Sequence, residues 1–272
     1  MNASTRSVRP AAVAGMFYPA AAAVLSRDVQ QLLGQVSVEQ RPLPKALIAP
    51  HAGYIYSGST AAAVYAPLAR WRSTVRRVIL LGPTHRVSVD GVALPSVCGF
   101  ATPLGIVPLE RAVLPQLLAL PQVTISDEAH ALEHSLEVQL PFLQTVLAEF
   151  TLVPLAVGRA SPEQVAEVLE TLWGGEETLI VISSDLSHFH PYAAASSIDQ
   201  QTAVQIVALS SRLNHQQACG ATPVNGLLLA AARHALQPEL VALCNSGDTA
   251  GDKRRVVGYG AFTFTAGSGH GH

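Results

Sequence analysis

Short apolar segments without polar interruptions recur along this chain, and they restrict its fold more than any other feature. KALIAP (45–50) and RRVILLGP (76–83) each have the length and composition of a buried strand. Between them lies SGSTAAAVYAPLARW (57–71), an Ala-rich segment that Ser57 or Ser59 could cap as a helix. Continuously apolar strands need cover on both faces of their sheet. The arrangement predicts a strand, a crossover helix and a parallel strand.

The same arrangement recurs further along the chain. FTLVPLAVG (150–158) and ETLIVISSD (177–185) flank SPEQVAEVLETLW (161–173), with Ser161 at the N-cap and Pro162 at the first helical position. We expect another helix near PVNGLLLAAARHAL, followed by the strands ELVALCNS and RRVVGYGAFTFTA, the last of them antiparallel. The sequence therefore predicts an α/β protein, a three-layer α/β/α sandwich with a mixed, largely parallel central sheet. We assign residues 1–272 to one domain and expect residues 266–272 to form a disordered tail.

Charge and cysteine content exclude several classes of protein. Formal net charge is -2, and the basic residues do not form the clustered patch that nucleic acid requires, so no nucleic-acid partner is expected. The longest uncharged run, 91–109, contains three prolines, and no membrane association is expected. Three cysteines in 272 residues do not make a disulfide framework, which favours a reducing, cytoplasmic location.

Histidines follow the predicted strands directly. His51 follows the first strand, His85 the second and His188 a later one, among ten histidines in all. Ligands of open α/β sheets bind in the crevice beyond the carboxyl ends of the strands. A single histidine there is more often an ordinary turn residue. Three at equivalent positions predict a functional cluster at one edge of the sheet.

Acidic residues accompany these histidines. DEAHALEHSLEVQLPFLQTVL (127–147) carries leucines at helical spacing and predicts one helix, with Glu133, His134 and Glu137 near its start. These three side chains are acid/base candidates, although acidic residues also favour the first turn of any helix. Asp185, just after a strand, could orient His188 or bind a metal.

Two further motifs are less specific indications of a functional site. HALEH (130–134) matches the H-x-x-E-H zinc signature, in which two histidines one helical turn apart bind the ion. Cys219 in CGATPVNG precedes a predicted helix, whose N-terminus lowers a thiol pKa and favours metal ligation or nucleophilic attack. A small buried hydrophobic residue is an equal alternative for Cys219. Cys98 and Cys244 are assigned to the core.

Seven motifs, read together in chain order, resemble those of the Memo family, also known in bacteria and archaea as AmmeMemoRadiSam system protein B. They are GMFYPA, IAPHAGYIYSG, LLGPTHR, DEAHALEHSLEVQLPFL, VISSDLSHF, CGATPVNG and SGDTAGDKRRVVGYGAF. The resemblance spans nearly the whole chain. It implies a fold like that of the LigB-type class III extradiol dioxygenases, which cleave catechol rings with non-haem Fe(II).

By this resemblance, His51, His85 and Cys219 correspond to metal ligands, and His188 to the acid/base residue of the dioxygenases. Those enzymes use two histidines and one carboxylate, whereas the third ligand here is a thiolate. Sulfur suits copper or zinc as well as iron. The resemblance implies iron(II) first, with copper or zinc as alternatives. Glu133 or Asp185 could replace the thiol and restore the carboxylate triad.

Three functions follow as hypotheses. The first is a metal-binding redox protein or oxygen-using enzyme, with His188 as the proton relay. The second is a non-enzymatic module that binds a small-molecule or peptide ligand in the same crevice. The third is a metal-dependent hydrolase. The family name also implies functional association with AMMECR-type and radical-SAM proteins.

Overall fold

The computed structural model describes residues 7–37 and 41–267. The strands are β1 (Val8–Arg9), β2 (Pro44–Ala49), β3 (Arg77–Pro83), β4 (Val92–Leu94), β5 (Gly99–Thr102), β6 (Gly105–Pro108), β7 (Val123–Ile125), β8 (Thr151–Val157), β9 (Thr178–Ser183), β10 (His188–His190), β11 (Leu236–Asn245) and β12 (Val256–Ala266). The α-helices are α1 (Ala22–Gly34), α2 (Tyr54–Tyr65), α3 (Leu114–Leu118), α4 (Asp127–Ala131), α5 (Leu140–Val146), α6 (Pro162–Leu172), α7 (Tyr192–Val207) and α8 (Ala221–Arg233). Three 3-10 helices cover Ala66–Trp71, Glu137–Gln139 and Ser246–Asp248.

The main sheet is mixed, with a parallel centre. Within the described residues its strand order is β10-β12-β2-β9-β3-β8-β4-β7, and β11 pairs with β12. β2, β9, β3 and β8 pair with one another in parallel, whereas β4 is antiparallel to β8. β12 is antiparallel to β2, β10 and β11, as predicted for the last strand. A second, small sheet has the order β1-β5-β6.

Side chains alternate between two cores, one on each face of the main sheet. Leu47 joins α1, α2 and α5 in one core, whereas Ile48 joins α6, α7 and α8 in the other. The same alternation holds for Leu80 and Leu81 of β3. Successive strand residues face opposite sides of a sheet, so continuously apolar strands fill both cores. The three-layer α/β/α sandwich is confirmed.

The predicted N-terminal serine cap is present in one crossover helix, α6, and absent from the other, α2. Ser161 caps α6 in a capping box with Gln164, and Pro162 is the first helical residue, as predicted. α2 instead begins at Tyr54 after Gly53, without a side-chain cap. Ser57 lies inside this helix and donates its hydroxyl proton to the carbonyl of Ala52, so the predicted serine cap is wrong.

The predicted continuous helix over 127–147 is also wrong. α4 ends at Ala131, a turn follows, and α5 begins only at Leu140. Pro141 has no N–H to continue an α-helical ladder, and its ring would clash with a helical carbonyl four residues earlier. The chain between the two helices is therefore free to place its side chains at the sheet edge. At the C-terminus β12 runs to Ala266, and residues 268–272 of the predicted tail lie outside the described residues.

Candidate metal centre

The loops after three adjacent strands converge at one edge of the main sheet. β2, β9 and β3 are neighbours and parallel, so their carboxyl ends meet. His51 follows β2 and His85 follows β3, and their ring centroids lie 5.3 Å apart in an edge-to-face arrangement. His51 is buried, whereas the side chain of His85 is 31% exposed. The predicted meeting of these two histidines is confirmed.

A third imidazole completes this cluster. His134 lies in the turn between α4 and α5, with its ring centroid 4.5 Å from that of His85 and 5.3 Å from that of His51. One ring nitrogen of each of the three histidines lies within 4.8 Å of the others, so together they could hold a metal ion. The sequence had suggested an acid/base role for His134. The structure adds that it can serve as a ligand.

The surroundings of His51 fix which of its nitrogens carries the proton. Its Nδ1 lies 2.9 Å from Ser183 Oγ. That hydroxyl donates its only proton to the carbonyl of Ser135 and accepts a hydrogen bond from Gln139 Nε2. Ser183 Oγ can therefore only accept from His51, so Nδ1 carries the proton and Nε2 keeps its lone pair. Sequence reasoning missed Ser183, although a serine ending an apolar strand beside a histidine loop is a recognisable signal.

Glu133 performs the same task for His85. Its Oε1 lies 2.9 Å from His85 Nδ1 and 2.9 Å from Ser135 N, and its Oε2 lies 2.6 Å from His85 N. Burial raises the pKa of this carboxyl, but the hydrogen bonds and charge of His85 and the N–H of Ser135 outweigh it and hold the pKa at about 2. Glu133 is thus an anion that binds Nδ1–H and leaves Nε2 of His85 to a metal.

His134 lies close to the same carboxylate, with its Nδ1 3.3 Å from Glu133 Oε1. Burial lowers the pKa of His134 to about 4, and burial with the neighbouring imidazoles lowers the pKa of His51 well below its usual value. Both rings are therefore neutral at pH 7. A metal ion binds only neutral imidazole, so His51 and His134 are suited to bind a cation at neutral pH.

Cys219 lies next to Nε2 of His51, the ring nitrogen that does not contact Ser183. The set of three imidazoles does not include it, but its Sγ is 3.3 Å from His51 Nε2. With metal bonds of roughly 2.3 Å to sulfur and 2.1 Å to nitrogen, two ligands of one ion stand about 3.1–3.6 Å apart. Burial and the nearby Asp185 raise the pKa of the thiol to about 12. Without a cation Cys219 is a neutral thiol, and a bound divalent ion would deprotonate it.

Neither carboxylate proposed as an alternative to the thiol joins the imidazoles. Glu133 faces the Nδ1 side of His85, away from the lone pair that a metal would use. Asp185 is buried and accepts the backbone N–H of His51 at 2.7 Å. Burial raises the pKa of Asp185 to about 7, although the N–H groups of His51 and Ala52 oppose this. The expectation of a histidine and carboxylate triad is not met among the described residues, because each carboxylate is occupied in holding a histidine loop.

His188 begins β10, and Asp185 does not orient it. Its Nδ1 donates to the carbonyl of Leu186 at 2.9 Å, which leaves Nε2 with a lone pair. Burial lowers the pKa of His188, and the charge of His85 lowers it further. The ring is therefore an unprotonated base at pH 7, held at the same sheet edge as the cluster.

Glu137 is fully buried but lies in a structural network. Its carboxylate accepts from Arg9 Nη1 and from the hydroxyl of Tyr18, both at 2.5 Å, and from the N–H groups of Ala12 and Val13. All its acceptor capacity is used on the N-terminal segment. That segment brings the Phe17 ring to 4.6 Å from the His134 ring. The structure therefore gives Glu137 an anchoring position rather than one among the imidazoles.

HALEH does not form the metalloprotease arrangement. α4 ends at Ala131, so His130 and His134 do not share a helical face. His130 is buried, and its Nε2 donates to the carbonyl of Ala93 at 2.9 Å, whereas His134 joins His51 and His85. The expected pair of zinc ligands one helical turn apart is absent from this segment.

A cleft opens beside the cluster. It has a volume of about 770 Å³, and its walls are the loops 83–89, 157–164 and 215–223. Both His85 and Cys219 line it, so a molecule in the cleft would meet the candidate ligands directly. Pockets of roughly 300–1,000 Å³ are typical of small-molecule sites.

Fold and site together define a three-layer α/β/α protein with a candidate metal site at the carboxyl edge of its sheet. The model of the Memo-like protein family matches residues 9–263. A MEMO1 family protein of Aquifex aeolicus is 35% identical over 268 residues, 93% of this chain and 97% of that protein. Another, of Ignicoccus hospitalis, is 36% identical over 283 residues, 94% of this chain and 98% of that protein. The chain belongs to the Memo-like family.

A solved structure supports the fold alone. The uncharacterized protein JW3007 from Escherichia coli K12 superposes with a TM-score of 0.56 at 15% identity, covering 80% of this chain and 99% of that chain. Within the described residues no helix is both long and apolar enough to span a bilayer. Cytoplasmic location and association with AMMECR-type and radical-SAM proteins stay predictions.

Proposed function

We propose that this chain binds one transition-metal ion through His51, His85 and Cys219 and uses it for oxygen-dependent redox chemistry. Iron(II) is the first candidate, with copper or zinc as alternatives. A redox-active ion held there would supply electron-transfer chemistry that no side chain provides. The observation that carries the proposal is the convergence of three imidazoles, one nitrogen of each within 4.8 Å of the others, while Ser183 and Glu133 hold the Nδ1 atoms of His51 and His85.

This arrangement is hard to explain as ordinary packing. A metal-binding histidine usually donates its other ring N–H to a carboxylate, hydroxyl or carbonyl, which sets the tautomer and the ring plane. Ser183 does this for His51, and Glu133 does it for His85. Three imidazoles with nitrogens this close to one another form a set of lone-pair donors that one cation could bind together.

His134 is a second candidate for the third ligand, because it belongs to the cluster of three imidazoles and Cys219 does not. The two alternatives differ in charge. Cys219 would bind as a thiolate, and its raised pKa of about 12 means that binding must release a proton at neutral pH. His134 is already neutral and would release none.

Isothermal titration calorimetry distinguishes these alternatives. The metal-free chain is titrated with Co²⁺ or Fe²⁺ at pH 8 in two buffers of different ionisation enthalpy. Thiolate ligation predicts about one proton released per ion and a sulfur-to-cobalt charge-transfer band, and Cys219→Ala loses both. Release of no protons, with affinity lost in His134→Ala instead, would assign the third position to His134. Unchanged binding in His51→Ala would overturn the proposal altogether.

His188 is the proposed proton relay. Its Nδ1–H is committed to Leu186, so only Nε2 can take a proton from a ligand in the site. A His188→Gln variant should keep its metal and lose oxygen-dependent turnover. If the wild-type chain binds metal and a saturable ligand without consuming oxygen, the crevice functions as a binding module instead.

A further inference from the structure

The charged side chains that line the cleft beside the metal site are all basic. Among the described residues its lining contains two arginines, Arg86 and Arg159, and no aspartate or glutamate. The two arginines come from different loops, Arg86 from the loop that follows β3 and Arg159 from the loop that follows β8. Concave walls of one charge sign concentrate the field inside them.

The two arginines differ in their partners. Arg159 is paired with the exposed Asp90, whose Oδ1 accepts from its Nε at 2.7 Å and lies 2.6 Å from its Nη2. Arg86 makes no hydrogen bond or ion pair with any described residue, and it is exposed. Its charge nevertheless reaches the cluster, because it contributes to lowering the pKa of His134. Arg86 is thus a cation in the cleft wall without an acidic partner among the described residues.

His215 and the start of α8 form another part of the cleft wall. Thr222 and Pro223, in the first turn of α8, line the cleft, and α8 begins at Ala221 after Gly220, without a capping side chain. His215 Nδ1 lies 3.3 Å from the carbonyl of Cys219 as a donor, and its Nε2 is 3.5 Å from the Thr222 hydroxyl. This wall adds hydrogen-bonding groups but no negative charge.

We propose that the cleft binds a small anionic molecule whose carboxylate or phosphate group pairs with Arg86, while the rest of it reaches His85 and Cys219. This proposal rests on the metal site proposed above, since it names the class of ligand for that site. A guanidinium matches the planar geometry of two oxygens on one carboxylate or phosphate. The volume of about 770 Å³ leaves room for an organic group between this anion and the histidines.

Binding of simple probes tests this proposal. Succinate, inorganic phosphate and the uncharged succinamide are titrated at low ionic strength into the as-purified chain and into chelator-treated chain, followed by ¹H–¹⁵N NMR. We expect succinate, phosphate or both to shift the amides of Gly158 and Thr222, leaving Val204 on α7 unchanged and succinamide without effect. Shifts from succinate alone would assign the site to carboxylates, and from phosphate alone to phosphates.

Arg86→Gln should weaken the binding of whichever anion binds by about three- to tenfold and reduce its salt dependence. Arg27→Gln is the matched control, because Arg27 is an exposed arginine on α1 that does not line the cleft. Equal affinity for succinate and succinamide, unchanged affinity in Arg86→Gln, or no binding of either anion would overturn the inference. Metal binding is measured separately on the same samples, so failure of the anion site is distinguishable from failure of the metal site.

Discussion

Replacing Glu133 with glutamine tests whether a carboxylate sets the chemistry of His85. Glu133 is buried, and its carboxylate accepts hydrogen bonds from His85 Nδ1, His85 N and Ser135 N. A carboxamide of the same shape has one acceptor oxygen and one NH₂ group. If the amide oxygen accepts from His85 Nδ1 and Ser135 N, the NH₂ group faces the backbone N–H of His85, and two donors oppose each other. In the reverse orientation, the NH₂ group opposes the donors His85 Nδ1 and Ser135 N.

The variant therefore loses both the negative charge and part of the hydrogen bonding that orients the imidazole. Removing an outer partner of a metal-binding histidine lowers metal affinity by roughly 10- to 100-fold, or about 1.4 to 2.7 kcal/mol. Competition against a chromophoric chelator at pH 7.5 measures this loss. Glu149→Gln is the matched control, because the Glu149 side chain is 87% exposed. Metal affinity within about twofold of wild type, in a variant with an unchanged NMR spectrum, would refute the reasoning.

Three further variants test other parts of the structure. Ser183→Ala removes the acceptor of His51 Nδ1–H, and metal affinity measured by the same competition should fall by about tenfold; no loss would mean that another group sets this tautomer. Glu137→Gln leaves Arg9 buried without its counter-charge, which should lower the free energy of unfolding in urea by about 3–5 kcal/mol. A loss below about 1 kcal/mol would show that the pair contributes little. His130 has a pKa lowered from 6.5 to about 4 by burial, so the unfolded chain binds its proton first as pH falls from 6.5 to 4. Stability should decline across this window by as much as about 3 kcal/mol through this residue, and His130→Asn should show a smaller decline in urea unfolding than wild type; an equal decline would contradict the assignment.

The sheet and its histidine edge could be predicted because they depend on local pattern and topology. Uninterrupted apolar strands required two covered faces, and parallel neighbours required their carboxyl ends to meet. That was sufficient to bring His51 and His85 together. The capping box at Ser161 was equally local, since it involves residues three apart.

The remaining features depend on contacts between distant segments. Glu133 and His134 looked like residues of a helix first turn, yet the break before Pro141 turns them toward His85. Ser183 can accept from His51 only because its hydroxyl donates its hydrogen bond to the backbone carbonyl of Ser135. Glu137 is held by Arg9, 128 residues away in the chain. The residue pattern within a single segment cannot predict contacts between residues so far apart in the chain.

Metal content tests the central claim most directly. The chain is purified without an affinity tag or added metal, and its iron, copper and zinc are measured by mass spectrometry, alongside His51→Ala prepared in the same way. We predict a near-stoichiometric content of one of these metals, iron first, that is lost in the variant. A wild-type chain that contains none of them and takes up none on anaerobic titration would contradict the account.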